Sequence, residues 1–149
     1  MSLLKKGAVP RCIGRTKGGL NSKLHAVTNQ GGKPLILLLT PGQMSDHKGA
    51  TLMLPALPPA KSLTGDKGYD SDALRKALIE KGMEPCIPPK RNRKRPQPYD
   101  EALYKKRHKI ENSFGWIKDW RRVATRYDRC SHAFFSAICI AAAFIFYLL

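Results

Sequence analysis

Residues 20–28 (LNSKLHAVT) interleave the apolar Leu20, Leu24 and Ala26 with the polar Ser22, Lys23 and His25. A period of two predicts a half-buried strand. Gln30, Gly31, Gly32 and Lys33 follow as a turn of hairpin length. Residues 35–39 are then continuously apolar, so the two runs predict an antiparallel hairpin closed by Thr40, Pro41 and Gly42. Ser45 or Asp46 predicts the cap of a helix to about Leu54, stopped by Pro55, Pro58 and Pro59. A short strand is expected before Gly65. Ser71 or Asp72 caps an amphipathic helix that presents Leu74, Ala77 and Leu78 on one face and closes at Gly82. Residues 84–87 read as a short strand before Pro88 and Pro89. A further helix begins near Asp100, with Leu103, Ile110, Phe114 and Ile117 as its apolar stripe. The element order predicts an α/β fold with a mixed sheet. No internal repeat is visible.

The last 17 residues, 133–149, contain Ser136 as their only polar side chain. They read as a buried core helix or as a short tail anchor, with Arg126 and Arg129 as positive flanking residues. Residues 1–12 read as an irregular segment without a signal-peptide core. The 149 residues suffice for one domain and not for two full ones.

Charge changes the picture. Lys and Arg number 27 against 11 Asp and Glu, a net charge of +16. Such an excess suits a polyanion, because neutralised phosphates release counterions. Residues 90–95 (KRNRKR) concentrate it between prolines, as a solvated loop or a DNA-backbone contact. Cys12, Cys86, Cys130 and Cys139 form no C-x2-C pair, and His25, His47, His108 and His132 lack zinc-finger spacing. Cys86 and Cys139 lie in apolar runs as core thiols of a reduced, cytosolic protein.

The candidate chemistry lies in residues 104–118, YKKRHKIENSFGWIK. At about 100° per residue, Tyr104, Arg107 and Lys118 fall within roughly 40° of Glu111 on one helix. A lone carboxylate flanked by Arg, Lys and Tyr suits a place where a metal ion meets a phosphate. Local pairing of Arg107 and Lys118 with Glu111 is the plainer alternative, and exposed pairs of that kind contribute only about 0.3–0.5 kcal/mol. Trp116 and Trp120 lie on the far side, for packing into the core or a partner. Asp66, between Gly65 and Gly68 after a strand, is the second exposed carboxylate.

The spacing Y-x2-R-x3-E-x6-K resembles the signature helix of bacterial insertion-sequence DDE transposases. The segment TGDKGYD at 64–70 resembles their aspartate motif. GRTKGGL at 14–20 followed by KLHA at 23–26, and TPGQMSD at 40–46, resemble two further family segments. The likeness covers residues 13–149, and its motifs are specific in combination.

It implies an RNase H-like fold and metal-dependent cleavage and transfer of DNA strands at element ends. Asp66 and Glu111 would be catalytic metal ligands for two Mg²⁺ or Mn²⁺ ions. Tyr104, Arg107, Lys118, Lys67, Arg15, Lys17, Arg121 and Arg122 would contact DNA. The partners implied are double-stranded DNA, as terminal repeats and target, and an upstream-frame product or a second copy. No small-molecule substrate is implied, and the setting is the bacterial cytoplasm at the nucleoid.

One departure matters. The family uses three carboxylates, the first Asp preceding the G-R-x-x-G-G segment, and here no Asp or Glu occurs before Asp46. Asp46 matches the later loop, while Asp70 and Asp72 read as turn and cap residues. The expectation is a catalytic domain without its first strand, with sheet edge exposed. The alternatives are a catalytically dead DNA-binding remnant and a small basic tail-anchored membrane protein.

Overall fold

The computed structural model describes residues 12–120, 123 and 130–148. The expected contacts of Arg121 and Arg122, and the expected irregular segment apart from Cys12, lie outside these residues. The alternating run forms β2 (Gly19–Thr28), which pairs antiparallel with β3 (Pro34–Pro41) and, at its start, with the short β1 (Gly14–Thr16). Asn29 shapes the hairpin turn, its side-chain oxygen accepting from the backbone of Gly31 and Lys33 at 3.0 and 2.9 Å. The first helix, α1, runs Asp46–Met53 and continues into a 3-10 turn at the prolines. Next come β4 (Ser62–Thr64), α2 (Asp72–Glu80) and β5 (Glu84–Cys86). β4 and β5 pair in parallel, as expected of strands joined through a helix.

The hairpin and the parallel pair are separate ladders, not the continuous mixed sheet that the element order predicted. Among the described residues no strand pairs with β4 on the side away from β5, nor with β2 beyond the part opposite β1 on the side away from β3.

Two apolar cores follow this division. Leu74 and Leu78 of α2 close on Ala50, Met83 and Ile87, with Leu63 and Tyr69 packed against them. The second core forms where Leu24, Leu37 and Leu39 on one face of the hairpin meet the later helices. Those helices are α3 (Glu101–Lys105), α4 (His108–Lys118) and α5 (Ser131–Ala143), the last running on into a π-helical turn (Phe144–Leu148). Ile117, Phe134, Ile138, Ala141 and Ala142 are its buried members on α4 and α5. The span Ser131–Leu148 is long and apolar enough to cross a membrane by composition. Here, however, one side of it covers the hairpin. Trp116 and Trp120, expected in the core or against a partner, remain exposed and pack on Phe146 and Phe144 of the final turn. Cys86 is buried and Cys139 partly so; burial pushes both thiols up.

The other face of the hairpin carries His25, buried and hydrogen-bonded to Thr40 Oγ1 at 2.8 Å. Gly49 lets α1 lie flat on it, because a Cβ there would stand 2.4 Å from the His25 ring. Gly49→Ala should therefore be net destabilising by up to about 2 kcal/mol, because overpacking costs about 1–3 kcal/mol and alanine returns roughly 1 kcal/mol in a helix. Urea denaturation measures it; unchanged or greater stability would show that α1 lifts away freely.

Candidate active site

Asp66 follows β4 directly. Its Oδ1 accepts from Gly68 N at 2.8 Å, which closes the 3-10 turn Lys67–Tyr69 and turns the carboxylate outward. Glu111 lies in the first turn of α4. Arg107, at the N-cap of α4, connects the two: one guanidinium nitrogen reaches Glu111 Oε1 at 2.8 Å and the other Asp66 Oδ2 at 3.4 Å. Its side chain is 22% exposed, so the bridge is partly shielded from water. Tyr104 stands beside it, ring centre 5.9 Å from the Arg107 guanidinium carbon and edge-on to Tyr99.

The expected helix from Asp100 is thus two helices. Around residues 106–110 successive i to i+3 bonds (Lys106 N to Leu103 O, Arg107 N to Tyr104 O, Lys109 N to Lys106 O, Ile110 N to Arg107 O) tighten the chain. Asp100 caps the first helix, its carboxylate accepting from Leu103 N at 3.0 Å. Ser113 fixes the second, donating through Oγ to Gly32 O in the hairpin turn.

The structure therefore gathers Asp66, Tyr104, Arg107 and Glu111. Lys67 is exposed immediately beside Asp66. Lys118 is exposed at the far end of α4, about 10 Å along the axis from Glu111. Arg15 on β1 and Lys17 in the following turn make no ion pair with the cluster among the described residues.

Two acidic residues do more than the sequence suggested. Asp46, expected as cap or loop residue, accepts from Lys23 Nζ at 2.8 Å, and the same ammonium donates to Met44 O. A Cβ on Gly68 would fall 2.3 Å from Asp46 Oδ2 and 2.9 Å from Asp66 Oδ1, so the Asp66 turn is seated against the Asp46 carboxylate. Tyr69 registers this charge. Burial, with Asp46 and Asp66 nearby, pushes its phenol up to about 12 while Arg107 pulls the other way, so it stays neutral at pH 7.

Asp70 is not a simple turn residue. Its side chain is 1% exposed and takes Arg75 Nε at 3.0 Å, Arg93 Nε at 2.8 Å and Lys90 N at 2.8 Å. Arg75 also donates to Ile87 O, and Arg93 to Asp72 Oδ1. Burial alone would raise the Asp70 carboxyl; Arg93, the Lys90 amide and Arg75 overcome it and hold its pKa at about 2. The spacing D-x4-R was the one available sign of this hub.

A cleft of about 660 Å³ opens between β2 and β4. Asp66 and Tyr69 line one wall and Arg107, Ile110, Glu111 and Phe114 another. The donor set suits a hard divalent cation in kind, since Mg²⁺ takes carboxylate oxygens and keeps several waters. It is short in number, because no group of three acidic, His or Cys side chains converges among the described residues.

The model of the transposase DDE domain matches residues 8–146. A putative transposase for insertion sequence element IS402 of Burkholderia cepacia is 32% identical over 135 residues, covering 78% of this chain and 62% of that protein. A putative transposase for insertion sequence element IS6501 of Brucella ovis is 35% identical over 128 residues, covering 85% of this chain and 98% of that protein. The chain thus spans less than two thirds of the IS402 relative and nearly all of the IS6501 relative. No solved structure matches it. With the family model covering nearly the whole chain, the chain belongs to the DDE-domain transposases of bacterial insertion sequences.

Proposed function

We propose that this chain forms the catalytic portion of a transposase that cuts and joins DNA strands at the ends of an insertion sequence. Asp66 and Glu111 serve as metal ligands. The observation that carries this reading is that the two carboxylates come from different elements, line one cleft and share one guanidinium. The shortfall in ligands has a structural counterpart. Residues 26–28 of β2 and 62–64 of β4 border the same cleft, and Leu63, Leu74, Leu78, Ile110 and Phe114 make its lining apolar. An extended segment bearing a carboxylate, laid between β2 and β4, would join the ladders into one RNase H-like mixed sheet and supply the third ligand.

Asp66 and Glu111 would hold Mg²⁺ or Mn²⁺, which would supply charge stabilisation for the attacking and leaving oxygens of an in-line displacement. The chain's own groups do the rest. Arg107, Lys67 and Lys118 hold phosphate oxygens, Tyr104 positions the strand, and neutral Tyr69 remains a hydrogen-bond donor. The double-stranded DNA of terminal repeats and target is the substrate, in the bacterial cytoplasm at the nucleoid. A non-catalytic DNA-binding role is the second reading, favoured by the two-carboxylate count among the described residues.

Mn²⁺ titration followed by electron paramagnetic resonance tests the assignment. Asp66→Asn and Glu111→Gln should each weaken Mn²⁺ binding to the chain by at least the roughly 10–100-fold typical of losing a supporting residue. Binding indistinguishable from the parent chain in both variants would refute the ligand assignment.

A further inference from the structure

The 66–70 turn carries Asp66 at one end and Asp70 at the other. Through Asp70 it holds the basic run at 90–95. Lys90 N and Arg93 Nε both end on Asp70 Oδ2 at 2.8 Å, and Arg93 spans on to Asp72. A further backbone bond, Arg93 N to Lys90 O at 3.1 Å, closes the turn on itself. Arg93 is thus committed internally, its side chain only 16% exposed. Its neighbours are not: Arg91, Lys94 and Arg95 are exposed, and none has an acidic partner among the described residues.

Three uncompensated cations on a loop pinned at two points differ from a mobile basic tail. Ordering a long cationic side chain and its backbone opposes binding. Here much of the backbone ordering is already done by the Asp70 hub. Planar guanidinium groups on a fixed support suit phosphate oxygens, which they meet with paired donors.

We propose that residues 90–95 form a fixed cationic ridge that grips the phosphate backbone of duplex DNA, held in register with Asp66 through the shared 66–70 turn. The inference rests on the reading that this chain handles DNA, but it does not require the metal site. The ridge carries no base-reading role: its contacts are with phosphate, so they position the duplex and do not select sequence.

The test uses the full chain, a duplex of arbitrary sequence, and EDTA throughout, so that the carboxylate pair plays no part. Arg91, Lys94 and Arg95 are changed together to Gln. A control removes three exposed lysines elsewhere, Lys67 being left intact: Lys76, Lys81 and Lys61, also to Gln. All six lie on the surface, and circular dichroism checks that both triples keep the fold. Each phosphate contact contributes about 0.9 to the slope of log K against log salt. The ridge triple should lower the slope by about 2–3 and weaken binding roughly tenfold or more at about 100 mM salt. The control triple should change the slope by less than about 1. Equal losses in both triples would mean generic charge attraction, and an unchanged slope in the ridge triple would mean no contact; either overturns the ridge. Loss of Mn²⁺ binding in Asp66→Asn is read without DNA and supports only the ligand assignment, so the two readings fail independently.

Discussion

Asp70→Ala is expected to destabilise the fold by about 3–5 kcal/mol, the range for removing one partner of a buried ion pair. The carboxylate is almost wholly buried and takes two guanidinium groups and a backbone amide. Without it, Arg75, which is 7% exposed, keeps only its bond to Ile87 O. The same group predicts an acid transition. Its folded pKa, about 2, lies below the ordinary 3.8, so its contribution is fully present above pH 3.8 and is lost as pH falls through about 2. That loss is on the order of 2 kcal/mol. Urea melts at neutral pH and near the folded pKa, on the parent and the variant, measure both effects. A variant within about 1 kcal/mol of the parent at neutral pH would fall well below that range and show that the bonds of Arg75 and Arg93 to Asp70 contribute little net stability.

Arg107→Ala is expected to move two observables in opposite directions. Its guanidinium now compensates Asp66 and Glu111 together. Removing it leaves two carboxylates on one cleft without their shared cation. A unit charge a few Å away at an effective dielectric near 20 acts with roughly 4 kcal/mol before solvent screening. Since the group is partly exposed, about a tenth to a third of that is the expected yield, on the order of a two- to tenfold gain in Mn²⁺ affinity. DNA binding should weaken in the same variant, with the salt slope falling by about 0.9 for one lost phosphate contact. Arg107→Lys keeps the charge but lacks the fork that spans both carboxylates, and should sit between the parent and Arg107→Ala in Mn²⁺ affinity. If Arg107→Ala weakened Mn²⁺ and left DNA binding untouched, Arg107 would be a support of the carboxylates and not a phosphate contact.

The hairpin was legible because alternation over residues 20–28 and a turn rich in glycine are local signals, and β2 and β3 pair as that pattern requires. The second helix was equally plain from its apolar face, which Leu74 and Leu78 bury. Asp66 and Glu111 were legible as motif residues, and the structure places both on one cleft. What the sequence hid depended on partners far along the chain. Asp70 looks like a turn residue until Arg93, 23 positions on, reaches it. Asp46 looks like a cap until Lys23, 23 positions back, engages it. The break near Arg107 falls in a run of good helix formers, where no Pro or Gly marks it, and Arg107 meets Asp66 across 41 positions. Nor does element order say which strand edges lie side by side, so the separation of the two ladders had no local sign.

The division into two cores has a consequence for how the protein is made. Every buried residue of the core beneath Asp66 lies between Ala50 and Ile87, whereas the core beneath Glu111 joins the early hairpin to α5. Residues leave the ribosome in chain order, N-terminal first. The residues that pack beneath Asp66 are all made before α4, whereas the core beneath Glu111 cannot close until α5 has been made.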